Sequence, residues 1–199
     1  MSDSLLFHSG SHGLQDAFGS RAIASKLESM TRTAFSASDK EFIESAIYFF
    51  LATSDPRNQP DCSFKGGPPG FVRVTGPSEL AFPDYDGNGM FKTLGNVSAN
   101  SSVGLLFINL HGQPRRLRVN GEARLFRDDP LLTETVGAQM MIRVTARAIF
   151  PNCPRYIPKM QLIEHSPYLP HWGEEPIEPE WKQFEDFKEL IHPRQKTAR

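Results

Sequence analysis

The stretch Ile47–Phe82, IYFFLATSDPRNQPDCSFKGGPPGFVRVTGPSELAF, decides the fold. Ile47–Thr53 is a short apolar run rich in β-forming residues, expected as a strand buried on both faces. Asp55–Pro60 is a turn, since Asp, Pro and Asn each favour turn geometry. A partner strand at Asp61–Lys65 therefore closes a hairpin. After GGPPG at Gly66–Gly70, Phe71–Thr75 alternates apolar with polar, GPS turns the chain, and Glu79–Phe82 forms another strand. Short strands joined by tight turns point to a mostly antiparallel sheet or barrel.

Upstream, residues 1–37 are polar and Ser-rich, with Leu14–Met30 expected as a helix. Ser38 followed by Glu41 reads as a capping box that starts a short helix through Ala46, with Phe42 and Ile43 inward. Downstream, Met90, Phe91, Leu94 and Val97 place one helical stripe over Gly89–Asn100. Val103–Asn109 returns to a buried strand. In Arg115–Phe126, Arg116, Arg118 and Asn120 project to one side, Leu117 and Val119 to the other. DDPLL opens a short helix, and Ala138–Phe150 alternates as a long strand. Pro151–Lys159 is expected to break the ladder, because proline lacks the donor. A surface helix is expected at Glu180–Ile191. The sum is a mainly β, α+β chain: six or seven strands as a small closed or split barrel with short flanking helices. The organisation is an N-terminal arm (1–37), one barrel domain (38–165) and a C-terminal tail (166–199).

Composition narrows function. The chain has 22 basic and 23 acidic residues, a net charge of −1, which lacks the basic excess of a nucleic-acid binder. No apolar run reaches membrane-span length, and the N-terminus lacks a secretion-signal pattern, so a cytoplasmic protein with no membrane partner is expected. Cys62 and Cys153 read as reduced thiols, with Cys62 a buried strand residue. His8, His12, His111, His165, His171 and His192 form no metal pattern, so they are read as surface or capping residues and no metal is expected.

Two lysines stand beside glycine-rich loops: Lys65 opens GGPPG, and Lys92 follows PDYDGNG at Pro83–Gly89. Lys92 and Thr93 in the first turn of a helix add an amine and a hydroxyl to free backbone N–H groups, which suits an anion. A plain exposed helix lysine is the competing reading for Lys92, as a solvated strand face is for Arg116 and Arg118. Neither loop is a P-loop or a dinucleotide fingerprint. Asp84, Tyr85 and Asp86 read as turn residues, and no nucleophile elbow occurs.

FFLATSDPRNQPDCSFKGGPPGFVRV, LAFPDYDGNGMFKTLGN, VGLLFIN, RRLRVNGEARLF and IFPNCPRYIPKM together resemble the pyridoxamine 5′-phosphate oxidase-related, FMN-binding split-barrel family, over roughly residues 35–165. LQDAFGSRAIASKLE is similar to the N-terminal arm of one subgroup. The resemblance implies a split barrel and a homodimer with FMN at the interface. It implies that Ser63, Phe64 and Lys65 line the flavin and its phosphate tail, and that Lys92 and Thr93 match the family's phosphate-clamping Arg-Lys pair, with threonine replacing one cation. Arg116 stands where a strand residue contacts the flavin. Asn152, Cys153, Arg155 and Tyr156 belong to a block that reaches the site from the partner chain. The Arg-x-His segment of true pyridoxamine phosphate oxidases is absent from KELIHPRQKTAR. The expected function is an FMN-dependent oxidoreductase acting on a small-molecule substrate or electron donor, with no catalytic side chain identified. The alternatives are a non-catalytic module holding FMN, a deazaflavin or haem as sensor or carrier, and a barrel with no cofactor.

Overall fold

The computed structural model describes residues 4–171, 173–174 and 177–191. The arm is two helices, α1 (Ser9–Ala17) and α2 (Arg21–Glu28), instead of one over Leu14–Met30. Gly19 separates them with a left-handed φ of +63°, which glycine reaches without steric cost. His8 does cap α1, accepting the Gly10 N–H at 3.2 Å. His192 lies outside the described residues.

Helix α3 (Ala37–Glu44) starts earlier than the Ser38–Glu41 pattern suggests. The capping box is Ser36 with Asp39: the Ser36 hydroxyl accepts the Asp39 N–H at 3.1 Å, and the Asp39 carboxylate accepts the Ser36 N–H at 2.9 Å. Asp39 is buried whereas Glu41 is exposed, so Asp39 is the acid that must be saturated with donors. Arg32 and Arg115 supply the rest. Burial opposes its ionisation, but the Arg32 and Ser36 hydrogen bonds outweigh burial and hold the carboxyl below the usual range.

Among the described residues seven strands follow: β1 (Tyr48–Ser54), β2 (Pro60–Gly66), β3 (Arg73–Gly76), β4 (Glu79–Tyr85), β5 (Ser102–Asn109), β6 (Arg115–Phe126) and β7 (Ala138–Asn152). They form one antiparallel sheet in the order β2-β1-β5-β6-β7-β4-β3, which does not close. β1 and β2 make the expected hairpin, Tyr48 opposite Gly66. β1 is buried on one face only: Phe49, Leu51 and Thr53 point inward, while Tyr48 and Phe50 are half-buried and Ala52 is exposed.

The sheet is strongly curled. Four strand spacings separate β1 from β4, roughly 19 Å across a flat sheet. Yet the rings of Phe49 on β1 and Phe82 on β4 lie 4.9 Å apart, and Phe49 also meets Phe107 of β5 at 5.1 Å and Phe71 at 5.9 Å. Only a sheet folded round these rings allows that. A β-bulge at Asn120/Gly121 assists the bend. A Cβ at Gly121 would sit 2.3 Å from the Thr145 carbonyl oxygen, so glycine alone fits.

Pro151 does not end β7; it pairs opposite Leu117. Ile149 exchanges its backbone hydrogen bonds with Arg32, away from β6, so Pro151, two residues on, presents its missing N–H to that same outer edge. α4 (Lys92–Ala99) buries Leu94 and Val97, and Asn96 Nδ2 donates to Thr53 Oγ1 at 3.0 Å. Asp128–Leu132 leads into a 3-10 turn at Pro130–Glu134. In the tail, the helix expected over Glu180–Ile191 is a 3-10 turn (Glu180–Gln183) and one turn of α5 (Glu185–Lys188), divided by the extended backbone of Phe184. Among the described residues no helix is long and apolar enough to cross a membrane.

Phe49→Ala should lower the unfolding free energy by about 3–5 kcal/mol, because it empties the centre of the curl. Urea denaturation followed by circular dichroism measures this, and a loss below about 1 kcal/mol would contradict the central role of the ring.

Candidate functional site

The curl brings edge strand β2 against the end of β4 and the start of α4, leaving a cleft of about 470 Å³. One wall is Asp61–Gly66, the other runs continuously from Pro83 through Leu94, and Phe71 and Gln139 complete the lining. Ser63, Phe64, Lys65, Lys92 and Thr93 thus meet in one place. β4 extends through Tyr85, so Asp84 and Tyr85 are strand residues on the wall and not turn residues. The strand alternation of Leu80, Phe82 and Asp84 was the available signal for this.

Phe64, Met90 and Phe91 form an apolar rim, at 62%, 69% and 50% exposed. Met90 and Phe91 do not join the helical stripe with Leu94 and Val97, because α4 begins only at Lys92. Phe91 is its N-cap in the left-handed region, φ +48°, and offers no side-chain hydrogen bond to the first turn. The backbone donors of that turn are accordingly without a side-chain cap beside Lys92 and the buried Thr93. Cys62 also lines the cleft and is exposed: it alternates with the half-buried Asp61 and Ser63 and pairs with the exposed Ala52 on the outer face of the hairpin.

Burial pushes the Lys65 ammonium below the ordinary lysine value, although Asp84 and Asp61 pull it the other way. Two carboxylates therefore do not repay the loss of water around this amine, and an additional anion in the cleft would. Burial raises the Tyr85 phenol to about 12, so it stays protonated and able to donate.

The other three expected site residues do not reach this cleft. Arg116 lies at the far end of β6, opposite Asn152, and hydrogen-bonds the Cys153 carbonyl. Arg155 lies over the Tyr156 ring at 5.9 Å, and Tyr156 is exposed. Among the described residues, Arg116 Nε and Asn152 Oδ1 at the β6–β7 end are buried polar atoms without hydrogen-bond partners. Sequence reasoning also missed Lys182, which ion-pairs with Asp86 of the cleft loop at 2.5 Å across 96 positions. No local pattern announces that pair. Among the described residues no group of three or more His, Cys, Asp or Glu could hold a metal ion.

Phe91→Gly should raise the thermal midpoint, since it removes a left-handed side-chain penalty of about 1 kcal/mol from a half-exposed site. A lowered midpoint in calorimetry would show that the ring contributes more than its backbone costs.

Several solved structures are similar to this chain at low identity. HupZ of Group A Streptococcus is 16% identical, covering 59% of this chain and 93% of its own, with a TM-score of 0.47. An FMN-binding protein from Syntrophomonas wolfei is 11% identical over 71% and 98%, TM-score 0.48. HutZ, the haem storage protein from Vibrio cholerae, is 15% identical over 57% and 92%, TM-score 0.43. No curated protein matches the chain. The sequence model described as pyridoxamine 5′-phosphate oxidase matches residues 35–167, which spans α3, strands β1 to β7 and both walls of the cleft. On that match, the chain belongs to the pyridoxamine 5′-phosphate oxidase family.

Proposed function

We propose that the cleft between β2 and α4 holds FMN and that the protein is an FMN-dependent oxidoreductase with a small organic substrate or electron donor. The observation that carries this reading is the convergence of Lys65 and Lys92, from two separate elements, on one cleft of ligand size. The donor set fits a flavin nucleotide. Lys92, the Thr93 hydroxyl and the uncapped first turn of α4 would hold the phosphate, because they combine charge with directed donors. Lys65 would add the second positive charge. Phe64, Met90 and Phe91 would cover an aromatic ring system and exclude water from its edge.

Bound flavin supplies hydride and electron transfer, while the protein supplies position and electrostatics. That division accounts for a site without an identified general base or nucleophile. Tyr85, still protonated at neutral pH, is the neutral donor of the wall. A haem reading fits the lining less well: among the described lining residues the axial-ligand types are Cys62, Tyr85 and Met90, with no histidine. The stretch 188–199, in which no Arg-x-His segment occurs, runs into residues 192–199, outside the described part.

We further propose a homodimer, in which a second copy brings Arg116, Arg155 and Tyr156 towards the cleft that they do not reach in their own chain. Arg116 Nε and Asn152 Oδ1, buried and without a partner among the described residues, support this, since buried polar atoms are ordinarily paired.

Purified protein should be yellow, or become so with added FMN, and Lys92→Ala should weaken FMN retention about tenfold or more while His171→Ala leaves it unchanged. Colourless protein that takes up no FMN refutes the reading; equal retention in the two variants refutes the clamp. Affinity should also depend on pH. The charged Lys65 ammonium binds the anion, so FMN affinity should fall as pH rises through the Lys65 titration, which burial sets below that of an ordinary lysine. Fluorescence titrations should show that fall in the wild type, and a flatter profile in Lys65→Met. Identical profiles would remove Lys65 from the site.

A further inference from the structure

The chain beyond β7 returns to the cleft and fastens onto its loop. Pro170 packs at Gly137 beside Tyr85: a Cβ built at Gly137 would lie 3.0 Å from the Pro170 side chain and 3.8 Å from the Tyr85 ring. Further along, the Lys182 ammonium meets the Asp86 carboxylate at 2.5 Å, with the Lys182 side chain 8% exposed and that of Asp86 33%. A lysine so buried is held by its partner, because an unpaired ammonium in that position would lose its water without compensation. Trp181 stands edge-on to Phe187 at 5.8 Å, which stiffens the segment carrying Lys182.

The loop that receives this contact leads directly to the proposed phosphate grip. From Asp86 the chain passes through Asn88, whose side chain accepts the Met90 N–H at 3.1 Å, through Gly89 at φ +76°, and through Phe91 at φ +48° to Lys92. A left-handed phenylalanine persists only where its surroundings determine the backbone on both sides. α4 supplies one side; Asp86 is the fixed point on the other.

We infer that the segment Glu180–Lys188 is a strap, in which Lys182 acts as a positioning residue that, through Asp86, holds the loop and the Lys92 end of α4 in the geometry that grips the cofactor. This rests on the FMN reading of the cleft but is separable from it, because the strap also operates in protein without ligand. The tail thereby becomes part of the site, and whatever displaces it loosens the cofactor.

The test uses full-length protein and FMN, with Lys182→Met, Lys182→Arg, and Lys188→Met as a control that removes an ion pair internal to the tail. Hydrogen–deuterium exchange of residues 86–92 is measured without FMN, then FMN affinity by fluorescence. Lys182→Met should lose about tenfold of the loop's amide protection and of FMN affinity, whereas Lys182→Arg and Lys188→Met keep both. Unchanged protection in Lys182→Met overturns the strap. Lost protection with unchanged FMN affinity overturns the positioning role. Failure of Lys182→Arg to restore either shows that the charge contact is not what acts, and also overturns it. If wild-type protein takes up no FMN, the cofactor reading falls, while the exchange data still decide the strap.

Discussion

The contact between Phe49 and Phe82 is the constraint on which the rest of this structure depends. Two strands that are four places apart in one sheet are brought to ring-contact distance, and Phe71 and Phe107 fill the space around them. Burying each such ring is worth about 2–3 kcal/mol, which offsets the bending of a sheet that must bulge at Gly121 to follow them. The curl has a consequence at the edges. β2 arrives opposite the end of β4, and the gap between them is the cleft. Core packing and site formation are therefore one event.

Two half-buried or buried charges show how the same physics serves different ends. Asp39 is surrounded by donors, from Ser36, Arg32 and Arg115, so that its ionised form is favoured despite burial. It ties the arm, α3 and β6 together and has no capacity left for chemistry. Lys65 is the opposite case: burial prevails over the attraction of Asp84 and Asp61. A charge left under-compensated at the wall of a cleft can still gain from an added anion, whereas a saturated one is a structural joint.

Part of the site was legible because its signals are local. Lys65 and Lys92 each stand beside glycine-rich loops, and Thr93 follows within the first helical turn. Other features were misread for equally local reasons. Ser36 and Ser38 both offer a capping pattern, and only the burial of Asp39 selects the first. Pro151 reads as a strand breaker until the direction of its absent N–H is known, and that direction follows from the bridge between Ile149 and Arg32. Cys62 reads as a core thiol because alternation along a strand does not say which of its two faces is outward, and Cys62 shares the outer one with Ala52.

What the amino-acid sequence determined by itself was the set of strands and turns, the family, and the two lysine-bearing stretches. Alternation, turn chemistry and glycine placement act over a few residues and leave a readable pattern. Only the tertiary structure decided that those stretches face each other across one cleft, that Arg116, Arg155 and Tyr156 lie away from it, and that Lys182 reaches Asp86. Each of these depends on the curvature of the sheet and on the path of the returning tail. Both are set by packing among residues distant in sequence, where spacing along the chain carries no information about proximity.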